Sequence, residues 1–219
     1  MDDEITPCPL CGRVPPATVG GLRGADGRLY SHCRECWLIF GDPADRLSPE
    51  LAAAHYRTHE NRLENAGYVA FLRRAVDRLL PHLDSTMRGL DFGCGPGPTL
   101  SELVRRAGIS CEDYDSLFVT RELNPPYDFI FATECFEHFD EPGGEIARIA
   151  ELLHPGGYLC VMTECWTDLE RFGTWYYTRD PTHVVYFHAR TFSYICQAFG
   201  FEALPSDDRR VWLLRKDEE

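Results

Sequence analysis

Four cysteines near the N-terminus, Cys8, Cys11, Cys33 and Cys36, fall into two Cys-x-x-Cys pairs. Thiolates three residues apart can face one cation, and two such pairs complete a tetrahedron. The spacing predicts a zinc site rather than disulfides, with an iron centre of rubredoxin type as the alternative. Four protein ligands leave no open position, so its role is expected to be structural. His32 adjoins Cys33, but two clean pairs do not need it. A second stretch able to do chemistry is Leu90-Asp91-Phe92-Gly93-Cys94-Gly95-Pro96-Gly97-Pro98-Thr99. Glycines at alternate positions let a backbone approach a ligand closely, and a helix start offers free N–H groups. Pro98 suits the first helical turn, where its missing N–H costs nothing. A dinucleotide fingerprint needs a third small residue where Pro98 stands, so the turn better fits a nucleoside without a pyrophosphate. Such a site expects an acidic residue about 20 positions on, its oxygens taking hydrogen bonds from both ribose hydroxyls. Asp115 fills that place; Glu112 and Asp113 lie earlier in the same segment.

The elements that must position these residues are readable from periodicity. Residues 56–83 read as one helix, with Tyr68, Leu72, Ala75, Val76, Leu79 and Leu83 on one face and Pro81 near its end. Strands are expected over 89–92, 110–115, 127–133 and 158–163, alternating with helices over 99–107, 144–153 and 190–199. The continuous apolar run over 127–133 suits a strand buried on both faces. Gly200 is placed to cap the last helix, and 201–204 with 211–215 make a closing antiparallel pair. Alternating β and α segments predict an α/β fold with a doubly wound, mostly parallel sheet. Residues 1–41, rich in turn signals, form a zinc-ribbon-like unit in this reading. Residues 42–84 serve as connector and helical lid, and 85–219 as the main domain.

The chain has 219 residues, 44% of them hydrophobic, enough for one α/β domain and a small appendage. Its formal charge of −13 disfavours nucleic acid as a partner. No apolar run approaches the roughly 20 residues of a membrane helix. The acidic start Met1-Asp2-Asp3-Glu4 is unlike a signal peptide, which opens basic and then turns apolar. The remaining cysteines, Cys94, Cys111, Cys135, Cys160, Cys165 and Cys196, are scattered, which fits a reducing compartment. The expectation is a soluble cytoplasmic protein of undetermined oligomeric state.

Residues 90–97 resemble motif I of class I S-adenosylmethionine-dependent methyltransferases. Tyr127-Asp128-Phe129-Ile130-Phe131-Ala132-Thr133-Glu134-Cys135-Phe136-Glu137-His138 resembles the family's fourth-strand motif, which often ends in Glu-His. Leu152-Leu153-His154-Pro155-Gly156-Gly157 resembles its Pro-Gly-Gly turn before strand five. The resemblance covers roughly residues 85–215 and implies a Rossmann-like domain that moves a methyl group from S-adenosylmethionine to an acceptor. It implies cofactor contacts from Asp91, Gly93, Cys94, Gly95, Asp115, Ser116 and Thr133. Only residues 116–127 separate Asp115 from Asp128, where the family fits another strand and helix, so the third strand is expected to be shortened or missing. Ser116, Leu117 and Phe118 would then supply the adenine wall. His138 reads as a general base or as a packing residue beside the cofactor. His183, in an aromatic insertion resembling the Asp-x-Thr-His-Val segment of small-molecule methyltransferases, reads as base, substrate anchor or loop-fixing residue; His188 reads as structural. Tyr56, His59 and Asn61 open the lid. The leading reading is methyl transfer to a small molecule. Methylation of protein or RNA, with the cysteine unit docking it, and a non-catalytic S-adenosylmethionine-binding module stay open.

Overall fold

A computed structural model describes residues 6–14, 21–59 and 61–218. Residues 1–5, residues 15–20, Glu60 and Glu219 lie outside that description. Strands β1 (Leu22–Arg23), β2 (Leu29–His32) and β3 (Ile39–Gly41) form an antiparallel ribbon. Helix α1 (Pro49–Tyr56) follows, with Ser48 accepting from the Leu51 amide at its N-cap. Helix α2 (Ala66–Leu79) starts at Asn65, whose side chain accepts from the Tyr68 amide. Then come β4 (Arg88–Phe92), α3 (Thr99–Arg106), β5 (Ser110–Tyr114), β6 (Tyr127–Thr133), α4 (Pro142–Leu152) and β7 (Leu153–Met162). The chain closes with β8 (Val185–Tyr186), α5 (Ala189–Phe199), β9 (Phe201–Leu204) and β10 (Val211–Lys216).

The main sheet has six strands in the order β5-β4-β6-β7-β10-β9. Pairings β4–β5, β4–β6 and β6–β7 are parallel, whereas β10 runs antiparallel to both β7 and β9, so the sheet is mixed. Side chains alternate across it as a period of two requires. Phe129 and Phe131 of β6, with Cys160 and Met162 of β7, face α2 and α3. Ile130, Ala132, Leu159 and Val161 face α4 and α5. This is a doubly wound, three-layer α/β arrangement. Among the described residues no strand pairs with the outer edge of β5. Residues 115–119 make only a tight turn closed by an isolated bridge between Asp115 and Val119, as the short spacing predicted.

Two expectations need correction. The helix read over 56–83 is broken: α1 stops at Tyr56, α2 starts at Ala66, and Leu80–His82 is a separate turn begun around Pro81. The apolar face survives within α2, where Leu72, Ala75, Val76 and Leu79 are buried. The Pro-Gly-Gly stretch does not stand before its strand but lies within β7, as a register irregularity opposite Tyr127 and Phe129.

The cysteine-bearing segment shares its sheet with the body. Its strands continue through β3 into β8 in the order β1-β2-β3-β8. Cys8, Leu10, Cys33, Cys36, Leu38 and Phe40 belong to the same buried cluster as Leu90, Ile130 and Phe136. No helix of the described residues is long and apolar enough to cross a membrane.

Candidate active site and cysteine cluster

A cavity of about 840 Å³ opens at the carboxyl ends of β4, β5 and β6, within the roughly 300–1,000 Å³ of small-molecule sites. Its floor is the glycine turn. Gly93 and Gly95 adopt left-handed φ values of 79° and 66°, which only glycine takes without strain. The turn is tied to β5, because the Gly93 and Cys94 amides both donate to the Tyr114 carbonyl, at 2.8 and 3.1 Å. The Gly95 amide donates to Asp115 Oδ2 at 3.0 Å, while Leu117 and Phe118 amides donate to Oδ1 at 2.8 and 3.1 Å. Asp115 is thus fixed between the glycine turn and the loop that replaces the third strand. Two amides occupy Oδ1 and one occupies Oδ2, so Oδ2 keeps a lone pair for a ligand hydroxyl. Ser116, Leu117 and Phe118 line the cavity beside it.

Asp91, at the end of β4, also lines the cavity and is 2% exposed. Burial, reinforced by the Asp113 charge, raises its pKa to about 8. Thr133 ends β6 at the same wall, followed by Glu134 in a left-handed conformation with φ 47°. Burial and the neighbouring Glu137 raise the Glu134 pKa to about 8 as well. An open space surrounds Gly95 where a Cβ would be, so any side chain there would fill cavity. A glycine floor, a helix start at Thr99 and two carboxylates at adjacent strand ends are a donor set that fits a nucleoside carrying a cationic tail.

The opposite end of the cavity is walled by residues 134–138 and by the insertion between β7 and β8. His138 and His183 stand with ring centroids 4.8 Å apart. His138 Nδ1 lies 3.0 Å from the Thr182 carbonyl, and His183 Nδ1 lies 2.7 Å from the Tyr177 carbonyl. A carbonyl accepts only, so each Nδ1 carries a proton, and in the neutral ring Nε2 is the basic nitrogen. Burial lowers the His183 pKa below its ordinary value, keeping it neutral. Glu137 is fully buried and accepts from the Thr163 hydroxyl at 2.8 Å and from the Tyr177 hydroxyl. His188 instead caps α5 and packs on Trp166.

Tyr177 and Asp180 belong to this wall and His55 stands against Asp180; the residue spacing gives none of the three a role. Asp180 Oδ1 accepts from the Thr182 amide and hydroxyl, and His55 Nε2 stands 3.3 Å from both Oδ1 and Oδ2. Burial opposes its ionisation, but the Thr182 hydrogen bonds and the His183 ring outweigh that and hold its pKa well below the usual carboxylate range. The signal for Asp180 was its place three residues before His183; nothing local marks Tyr177 among neighbouring aromatics.

The four N-terminal cysteines converge. Cys8 and Cys36 sulfurs lie 3.5 Å apart, as do those of Cys11 and Cys33, and all four fall within 4.8 Å of one another. A disulfide needs about 2.05 Å, whereas a tetrahedron with Zn–S of about 2.3 Å has edges of about 3.8 Å. Both knuckles are built alike. The Gly12 amide donates to the Cys8 carbonyl and the Trp37 amide to the Cys33 carbonyl, each at 2.8 Å. Gly12 and Trp37, each following its second cysteine, both take left-handed φ, at 69° and 61°.

A family model described as a methyltransferase domain matches residues 57–206. No curated protein matches the sequence. Among solved structures, the chain is similar to magnesium protoporphyrin IX methyltransferase from Synechocystis PCC 6803 with bound S-adenosylhomocysteine. The two share 16% identity and a TM-score of 0.55, over 78% of this chain and 95% of that one. It is also similar to a 1,6-didemethyltoxoflavin N1-methyltransferase from Burkholderia thailandensis. There identity is 17% and the TM-score 0.50, over 85% and 98% of the two chains.

Proposed function

Because the chain belongs to the methyltransferase-domain family and is an S-adenosylmethionine-dependent methyltransferase, we propose that its methyl acceptor is a small molecule received beside His138 and His183. The observation that carries this reading is the single cavity with the Asp115 carboxylate at one end and two basic Nε2 atoms at the other. The insertion that contributes Tyr176, Tyr177 and His183 walls the acceptor end, leaving a pocket sized for a metabolite rather than a groove for a polymer. The two structural neighbours are named for small-molecule acceptors, the same class.

Bound S-adenosylmethionine supplies an electrophilic methyl group on a sulfonium. In this reading Asp115 takes the ribose hydroxyls, and Ser116, Leu117 and Phe118 flank the adenine. Gly93, Cys94 and Gly95 pass beneath the cofactor, while Asp91 and Thr133 face its amino-acid end. His183 or His138 accepts the proton that the acceptor loses as its bond to carbon forms, Nδ1 of each ring being held by a backbone carbonyl. The rest is positioning, since an in-line approach held at about 3 Å supplies much of the rate. The cysteine cluster holds a structural zinc ion in the same proposal, supported by its sulfur spacing.

Calorimetric titration with S-adenosylmethionine tests the reading. Wild-type protein is expected to bind it, and Asp115→Ala to lose at least about tenfold in affinity, the scale of one charge-assisted hydrogen bond. An intact, zinc-loaded protein that does not bind S-adenosylmethionine overturns it.

A further inference from the structure

We propose that His55, His59 and Asp180 form a site for a divalent first-row transition metal, with an open coordination position turned toward the acceptor end of the cavity. The inference rests on reading that end of the cavity as the acceptor site. His55 and His59 are four residues apart, and the helical turn carries on past α1 to join them: the Arg57 amide donates to the Ala53 carbonyl at 3.2 Å, and the His59 amide to the Tyr56 carbonyl at 3.1 Å. The two imidazoles therefore share one side of a turn, with ring centroids 5.2 Å apart. Asp180 comes from the other wall. Thr182 holds one of its oxygens through two hydrogen bonds, and His55 Nε2 stands 3.3 Å from both oxygens, astride the carboxylate. Ligating carboxylates are characteristically fixed from behind in this way. One ligand atom from each of the three residues falls within 4.8 Å of the others.

An ion pair between His55 and Asp180 accounts for two of the three but not for His59. The His59 ring touches His55 and Tyr56 and makes no side-chain hydrogen bond among the described residues. Two imidazoles and one carboxylate suit zinc, iron(II) or cobalt(II), and three protein ligands leave room for a fourth. His59 and Asp180 both line the cavity, so the remaining position opens onto it. A metal there would join α1 to the insertion, the two walls of the acceptor end. It would also coordinate an acceptor oxygen and acidify its hydroxyl, whose proton passes to the basic Nε2 of His183 or His138. The acceptor class this selects is an oxygen-ligating molecule, such as one with a hydroxyl beside a carbonyl or a second hydroxyl.

The test is metal content of the full chain, stripped with chelator and reloaded with cobalt(II). Cobalt on thiolates gives a strong sulfur-to-metal charge-transfer absorption, whereas cobalt on imidazole and carboxylate gives only weak visible bands. Wild-type protein is expected to take up an equivalent that adds visible absorption without raising the thiolate band. His59→Ala and His55→Ala should lose that equivalent and keep the thiolate-bound one; His59 is exposed, so its removal leaves the fold intact. The proposal is overturned if wild type binds only thiolate-held metal, or if both variants keep the extra equivalent. Retention in these variants with loss in His183→Ala would place the metal on the buried group of Glu137, His138 and His183 instead. S-adenosylmethionine titration of the same samples separates the two readings: binding without the extra metal sinks only the metal site, and no binding sinks the pocket assignment.

Discussion

At the scale of single residues, Asp91 and Asp115 are the most informative pair, because similar carboxylates meet opposite environments. Asp115 is held by three backbone amides, while Asp91 is buried beside Asp113 with its pKa raised to about 8. Asp91 is therefore mostly protonated at neutral pH in the free protein. A cationic amino group brought against it favours the ionised form, so cofactor binding should expel a proton. The sign follows: affinity for S-adenosylmethionine should rise as pH increases from about 6 to 8 and level off above. Calorimetry in two buffers of different ionisation enthalpy checks this, expecting up to one proton released per site. Asp91→Asn should bind more weakly at pH 8 and lose the pH dependence; an unchanged slope in that variant would place the titrating group elsewhere. The positions of both aspartates were legible in the sequence, since each follows from a strand end and a glycine turn. The protonation of Asp91 was not, because it depends on burial and on Asp113, which β5 brings in.

At the scale of elements, the sequence revealed what local pattern encodes and missed what distant contacts decide. Strand β6 was visible as a continuous apolar run, and the missing third strand in the short spacing after Asp115. The break between α1 and α2 was not, because residues 57–65 are polar enough for an exposed helix. What the break achieves is tertiary: it lays Asn61 over the glycine turn, where the Thr99 hydroxyl donates to its carbonyl at 3.3 Å. A Cβ built on Gly97 would meet that carbonyl oxygen at 2.3 Å. Gly97 is thus the point of closest approach between turn and connector, and backbone on both sides leaves little room to yield. Gly97→Ala should lift the connector off the cavity. The expected outcome is a loss of about 1–3 kcal/mol in stability, together with weaker S-adenosylmethionine binding. Thermal unfolding and calorimetry on the same preparation read both; unchanged values would mean the connector is not held by this contact.

At the scale of the whole molecule, the cysteine segment is built as part of the catalytic body. Strand β3 pairs with β8, which ends the insertion that lines the cavity. The Arg28 guanidinium donates to the carbonyls of Asp180 and His183, and the Ala25 amide donates to the Thr178 hydroxyl. Tyr30 packs edge-on against Tyr186, in one cluster with Tyr177. The Gly143 amide of α4 donates to the Pro9 carbonyl beside the first knuckle. Metal bound by Cys8, Cys11, Cys33 and Cys36 would therefore stabilise the acceptor wall through these contacts as well as its own loops. A free-standing appendage would melt alone on metal loss and leave the rest unaltered. Here the Cys36 and Leu38 side chains lie in the main core, so Cys36→Ser or exhaustive chelation should lower the temperature of the principal unfolding transition. Each kcal/mol is worth about 2–4 °C in a chain of this size, and structural zinc contributes several kcal/mol or more to folding. A fall of about 10 °C or more in a single calorimetric transition is the expected result. Two separate transitions, with only the smaller one sensitive to chelation, would show that the segment folds on its own and that the shared sheet carries little energy.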